Sequence, residues 1–311
     1  MPTANHPDRP IRRRRGEMVE VRSLEEILAT LDAEGKLDGI LFMPEMVPFC
    51  GHRFRIHRRV DKTCVEGKGL CRLPDCVLLE GLRCGGEHHD GCQRGCLFFW
   101  KTAWLKPVAP GPDGLLTKSD RPGPPPRQLS TTRNGRYYCQ STELAAATRP
   151  LSRWNVWFHL RDLFTGEASV ARAAGILKRI IRNRFHRLLG WKLRGRQKQT
   201  PTAALGLQPG EWIEIRSREE IEATLDEDAR NRGLSFEQEM LEYCGGRYPV
   251  AFPVRRIISE ETGQMVRLQN TVVLEGVTCQ GLCARNCPRG NYLYWREIWL
   301  KRVDCPGGGP S

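Results

Sequence analysis

The chain contains its own copy. Gly16-Glu-Met-Val-Glu-Val-Arg-Ser23 returns as Gly210-Glu-Trp-Ile-Glu-Ile-Arg-Ser217, and residues 16–53 share 19 identities in 38 with residues 210–247 without a gap, at an offset of 194. The register then slips by one residue. At offset 195, Leu79-Glu-Gly81 matches Leu274-Glu-Gly276, Cys84 matches Cys279, and Trp100-Lys-Thr-Ala-Trp-Leu-Lys106 matches Trp295-Arg-Glu-Ile-Trp-Leu-Lys301. A period this long predicts two tandem modules, 16–107 and 210–303, and not a solenoid.

Each module reads the same way. Met18 to Val21 and Trp212 to Ile215 alternate as short strands. Ser23-x-x-Glu26 and Ser217-x-x-Glu220 are capping boxes, in which the serine oxygen takes an orphan amide and the glutamate returns the bond. Ile27 and Leu31, with Ile221 and Leu225, give the following helix one apolar face over two or three turns. Arg53 to Val60, Cys76 to Arg83 and Leu97 to Lys106 read as later strands. The expected class is α+β with mainly β modules: two small SH3-like or partly open β-barrels joined by a helical connector. Trp100 and Trp104, with Trp295 and Trp299, are expected in the cores.

Between the modules, the Pro/Gly-rich stretch 108–130 is a linker that no sheet or helix interior accepts. Residues 131–200 turn helical and basic. Val170, Ala173, Ala174, Leu177, Ile181 and Leu188 fall on one side of a helix there, with Arg172, Arg179, Arg182 and His186 opposite. The net charge of +13 is concentrated. Residues 1–15, a basic tail, carry +4, and 168–210, with ten Lys/Arg and no acid, carry +10. The rest is nearly neutral, which argues against a uniformly basic, groove-filling nucleic-acid binder. Segment 170–198, with Arg172, Lys178, Arg179, Arg182 and Arg187, is the candidate surface for an anionic partner: an acidic protein, a nucleic acid or a membrane surface. With 40% hydrophobic and 27% charged residues the chain is not a disordered one, and no apolar run approaches the ~20 residues of a membrane helix. No apolar stretch follows the basic cluster Arg12 to Arg15, so a cytoplasmic location is expected.

Thirteen cysteines in such a chain point to thiols or metal ligands rather than a disulfide framework. Overlaying the modules aligns Cys50, Cys84 and Cys92 with Cys244, Cys279 and Cys287, and His88 with Cys283. Metal sites tolerate a histidine-for-cysteine exchange, and disulfides do not. The two quartets predict one centre per module, Zn2+ or an iron–sulfur cluster, with His89 and Cys96 as spare donors in the first. Cys64, Cys71, Cys76, Cys139 and Cys305 read as ordinary thiols. Glu45 and Glu239 read as surface carboxylates or carboxylates beside the centre; Arg53 and Arg247 either donate to thiolate sulfur or face water.

Phe42-Met-Pro-Glu-Met46, Phe49-Cys-Gly51, Leu82-Arg-Cys84, Gly91-Cys-Gln-Arg-Gly-Cys-Leu-Phe-Phe-Trp100 and Tyr138-Cys-Gln-Ser-Thr-Glu-Leu144 together resemble a bacterial family of cysteine-rich proteins with no established activity. The resemblance covers most of residues 16–165 and implies that His89 and Cys96 hold the histidine and cysteine positions of that pattern. The second module departs from it at Cys283 and Asn291.

No phosphate-binding glycine loop, nucleophile elbow or zincin motif is present in the sequence, and no catalytic residue is singled out. The expected role is a metal-stabilised interaction or accessory protein. The alternatives are an iron–sulfur redox or sulfur-transfer protein using Cys64 or Cys96, and a nucleic-acid-binding protein.

Overall fold

In a computed structural model the chain is described over residues 11–108, 129–152, 193–281 and 286–305, with residues 165, 169, 171, 174–178 and 181 besides. It divides into two compact units. The first holds residues 1–173 together with 258–265 and 284–289; the second holds 174–257, 266–283 and 290–311.

In the first unit β1 (Met18–Val21) is followed by α1 (Leu24–Leu28), one turn and a half instead of two or three. The capping box forms as the sequence requires: Ser23 Oγ accepts from Glu26 N–H at 3.2 Å and Glu26 accepts from Ser23 N–H at 2.9 Å. A hairpin of β2 (Lys36–Leu37) and β3 (Ile40–Leu41) leads into a 3-10 helix, Pro44–Phe49. Gly51, at φ +77°, turns the chain out of that helix, which explains the Cys-Gly pair in both repeats. The long strands β4 (Arg53–Val65) and β5 (Gly69–Leu79) then run as one antiparallel ribbon, followed by β6 (Trp100–Lys101), a 3-10 turn and β7 (Leu105–Pro107). Asn134 and Gly135, both at positive φ, close the small hairpin of β8 (Thr132–Arg133) and β9 (Arg136–Tyr137). Next come α2 (Gln140–Ala147) and β10 (Arg149–Pro150). The sheet order is β10-β5-β4-β1-β7, with β6 also on β5.

The second repeat consists of β11 (Trp212–Ile215), α3 (Arg218–Glu222), the hairpin β12 (Arg230–Asn231) and β13 (Leu234–Ser235), then β14 (Arg247–Pro253). A hairpin of β15 (Arg256–Ile258) and β16 (Met265–Arg267) precedes β17 (Thr271–Leu274), β18 (Trp295–Arg296) and β19 (Leu300–Arg302). Its sheet, β18-β17-β14-β11-β19, repeats the β6-β5-β4-β1-β7 order of the first. The correspondence extends to single residues. Glu20 pairs with Arg53 as Glu214 does with Arg247, and the register shift at Ile56/Arg58 recurs at Val250/Phe252. The bridge Arg83–Leu97 recurs as Thr278–Tyr292. Duplication preserved the strand order and the inner part of the ladder, but the β4–β5 ribbon runs on to Val65–Gly69 where β14–β17 ends at Pro253–Val272.

Trp100, Trp104, Trp295 and Trp299 are all fully buried, so the core expectation holds. Phe42 sets its edge against Trp100 and Trp104, and Phe236 does so against Trp295 and Trp299. Trp104 Nε1 donates to Thr30 Oγ1 at 3.1 Å and Trp299 Nε1 to Thr224 Oγ1 at 2.9 Å, which accounts for the shared Ala-Thr-Leu-Asp run. The class is mainly β with short helices, and among the described residues neither sheet closes into a barrel. No described helix is long and apolar enough to cross a membrane.

Candidate metal centre

The loop between β5 and β6 assembles the site. Its ends are pinned by the Arg83–Leu97 bridge and by Cys84 N–H, which donates to Cys96 O at 2.8 Å, bringing those two cysteines side by side. Inside the loop, the Gly86 carbonyl accepts from His89 and Gly91, each at 3.0 Å, and Cys92 N–H returns to His89 O at 3.0 Å. Gly86 sits at φ +75°, and a Cβ there would lie 2.2 Å from the Cys92 carbonyl oxygen, so the loop admits only glycine. Cys139 joins from the residue before α2, where its N–H is held by Thr142 Oγ1 at 3.1 Å.

Cys84, Cys92, Cys96 and Cys139 line one cavity of about 30 Å³, beside His89 and Arg94. That is the room of a single water or ion. Backbone N–H groups are turned toward three of the four sulfurs: Gly86 toward Cys84, Arg94 and Ile258 toward Cys92, Ser141 and Thr142 toward Cys139. The Ile258 N–H lies 3.3 Å from Cys92 Sγ. In each case one donor is the residue two positions after the cysteine, and such bonds favour thiolate over thiol. Burial works the other way. It pushes the Cys84 and Cys92 thiols up and the Cys139 thiol up to about 11. Prepared for thiolate yet desolvated, these sulfurs need a cation to release their protons. Among the described residues no three His, Cys, Asp or Glu side chains converge at ligand distance around one point.

The remaining expected ligands go elsewhere. His89 is 1% exposed, with Nδ1 2.5 Å from Glu45 Oε1 and Nε2 3.0 Å from the Tyr138 carbonyl. Both partners accept, so the ring donates at both nitrogens and is an imidazolium with no lone pair for a metal. Burial would lower its pKa, but the Glu45 hydrogen bond and charge outweigh burial and raise it. Glu45, which burial alone would push up, is held down by the same bond. Glu45 is therefore the counter-ion of a buried pair, not a surface group. His88 does not line the cavity, and its backbone N–H donates to Glu45 Oε1 at 3.2 Å.

Cys50 and Cys244 both cap a 3-10 helix and pack against their cores, and burial pushes each thiol up to about 11. Their alignment reflects a shared turn. Cys279 donates to Glu239 Oε2 at 3.2 Å, and Gln280 N–H donates to Glu239 Oε1 at 2.6 Å. Cys283 lies outside the described residues. Cys287, in the first unit, pairs with Cys64, with the two sulfurs 3.5 Å apart. The hydrogen bond shared with the Cys64 sulfur and the Cys64 and Arg289 backbone N–H groups hold Cys287 toward thiolate. The described cysteines of the second repeat therefore do not form the quartet that the alignment suggested. Cys71 and Cys76 are core thiols and Cys305 is exposed, as expected. Arg53 and Arg247 face Glu20 and Glu214 at 3.1 and 3.0 Å, not sulfur.

A second buried polar group lies near Cys64. Glu260 accepts from Glu66 N–H at 3.0 Å, Ser141 Oγ at 3.1 Å and Arg94 at 3.3 Å, and it also pairs with Arg289. On the basic segment Lys178 is exposed, as are Leu177 and Ile181 from its apolar side; Arg172, Arg179, Arg182 and Arg187 lie outside the described residues.

Sequence reasoning missed Cys139 and the Cys64–Cys287 pair. The only signal for Cys139 was its place beside the motif residues Tyr138 and Gln140, across a proline-rich linker. No protein-family model, curated protein or solved structure matches the chain.

Proposed function

We propose that the first unit binds one Zn2+ through Cys84, Cys92, Cys96 and Cys139, and that the protein is a metal-stabilised interaction or accessory protein. The observation that carries this is the cavity itself, with four thiols around the volume of one ion and amides already directed at three of the sulfurs. Four thiolates make a closed site, and closed zinc sites stabilise folds rather than turn over substrate. The ion would tie the β5–β6 loop to the start of α2, two segments separated by the proline-rich linker.

On this reading the two repeats are rigid, SH3-like, partly open barrels, and the basic segment 168–210 supplies attraction to an anionic partner. Thiols of this number suit the reducing cytoplasm, and among the described residues every cysteine is free. Metal analysis and the absorption spectrum of anaerobically purified protein test the proposal. A colourless protein with one zinc per chain supports it. A brown protein carrying iron and acid-labile sulfide replaces the zinc by a cluster on the same sulfurs. A metal-free folded protein overturns it.

A further inference from the structure

The duplication provides an internal control for charge. Each repeat has a polar cavity at the same place: about 500 Å³ beside Asp38, Arg72, Asp75 and Lys101 in the first, and about 480 Å³ beside Lys198, Arg232, Arg267 and Arg296 in the second. By the repeat registers Lys101 corresponds to Arg296, Arg72 to Arg267, Asp38 to Arg232 and Asp75 to Asn270. In the first cavity, which Arg149 also lines, two acids offset most of the positive charge, and the buried Lys101 ammonium meets Asp38 at 2.8 Å. In the second, both acids are gone and one has become an arginine.

The consequence falls on Arg296, which is 6% exposed. Its guanidinium donates to the carbonyls of Asn231, Gln269 and Arg232 and to Thr271 Oγ1, at 2.6–3.3 Å. All four acceptors are neutral. Among the described residues Lys198, Arg232, Arg267 and Arg296 have no carboxylate partner, and burial together with the Arg232 charge disfavours the Arg296 cation. Arg232 also sits at φ +46° in the turn where the first repeat has Asp38 at +48°. The left-handed region suits aspartate better than arginine, so the exchange works against local preference as well as electrostatics.

We infer that the second repeat carries a phosphate-binding site, formed by Arg232, Arg267, Arg296 and Lys198, for the phosphate group of a small phosphorylated molecule. Arginine forks match phosphate oxygens two at a time. The cavity lies in the range of small-molecule sites and is much larger than a bare oxyanion, so it leaves room for the rest of an ester. This inference is independent of the metal proposal.

Titration calorimetry on the full chain at constant ionic strength in chloride tests it, with inorganic phosphate and a nucleoside monophosphate as probes. One saturable site per chain is expected for at least one of them; tighter binding of the monophosphate identifies the ester, and equal affinity identifies the free ion. Arg232→Asp rebuilds the first repeat's ion pair, so the variant folds and loses this binding. Arg267→Gln, at an exposed position, weakens it about tenfold by removing one charge-assisted contact. Lys101→Gln in the first cavity leaves it unchanged. Absence of saturable binding by both probes, wild-type affinity in Arg232→Asp, or binding of a single-stranded oligonucleotide but of neither probe overturns the inference.

Discussion

Replacing Glu45 by glutamine keeps the side chain's shape and removes its charge. In the native protein His89 donates from both ring nitrogens, to Glu45 and to Tyr138. In Glu45→Gln the imidazolium loses its counter-ion in a site that is 1% exposed; burial is then opposed only by the Tyr138 carbonyl and the Asp90 charge, and the ring is pushed toward the neutral form. A neutral ring has one N–H: either Tyr138 O loses its donor, or the introduced amide turns onto Nδ1 and the His88 N–H loses its acceptor, so one buried bond is lost either way. Hydrogen bonds to charged groups contribute about 1.5–3 kcal/mol, so the substitution should cost about 2–3 kcal/mol, roughly thirty- to 150-fold in the folding equilibrium.

The pH dependence is more diagnostic than the loss itself. The raised His89 pKa gives the native protein stability that is complete below the ordinary 6.5 and is lost as pH rises through the native value. The depressed Glu45 pKa gives stability that is complete above 4.5 and is lost as pH falls through its native value. In Glu45→Gln the His89 pKa falls from its native value, so the stability that the protonated ring contributes is lost at lower pH than in the native protein. Urea titrations followed by tryptophan fluorescence between about pH 5 and 9, with the His89 ring proton followed by NMR, read both effects. A ring that titrates near 6.5 in both proteins, with parallel stability profiles, would refute the imidazolium assignment.

Two other perturbations follow from buried pairs. Glu260→Gln strands Arg289, which is 4% exposed, and should destabilise the first unit by about 3–5 kcal/mol; Glu260→Leu with Arg289→Met should recover much of this, as a double-mutant urea series will show. Cys64→Ala removes the sulfur that lies 3.5 Å from Cys287 Sγ and helps hold Cys287 toward thiolate, so the thiolate absorbance of Cys287 should titrate at higher pH than in the native protein.

Much of the scaffold was legible because duplication tests every local signal twice. Both capping boxes, the buried tryptophans and the strand registers follow from residues that recur at one offset. At the site the same reasoning reached less far. Cys50 and Cys244 recur where the Cys-Gly pair makes a left-handed turn after a 3-10 helix, and that shared turn is enough to align them. His89 was eligible by spacing, but spacing does not show where its lone pairs point. Cys139 has no counterpart in the second repeat, so alignment could not find it. Long-range placement chose these partners, and it left no period in the sequence.

Zinc stoichiometry across a cysteine-to-serine series addresses the metal centre most directly. Serine at Cys84, Cys92, Cys96 or Cys139 should abolish or severely weaken metal retention, whereas Cys50→Ser and Cys244→Ser should keep one zinc per chain. Full zinc in the first four variants, or its loss from the last two, would contradict the assignment.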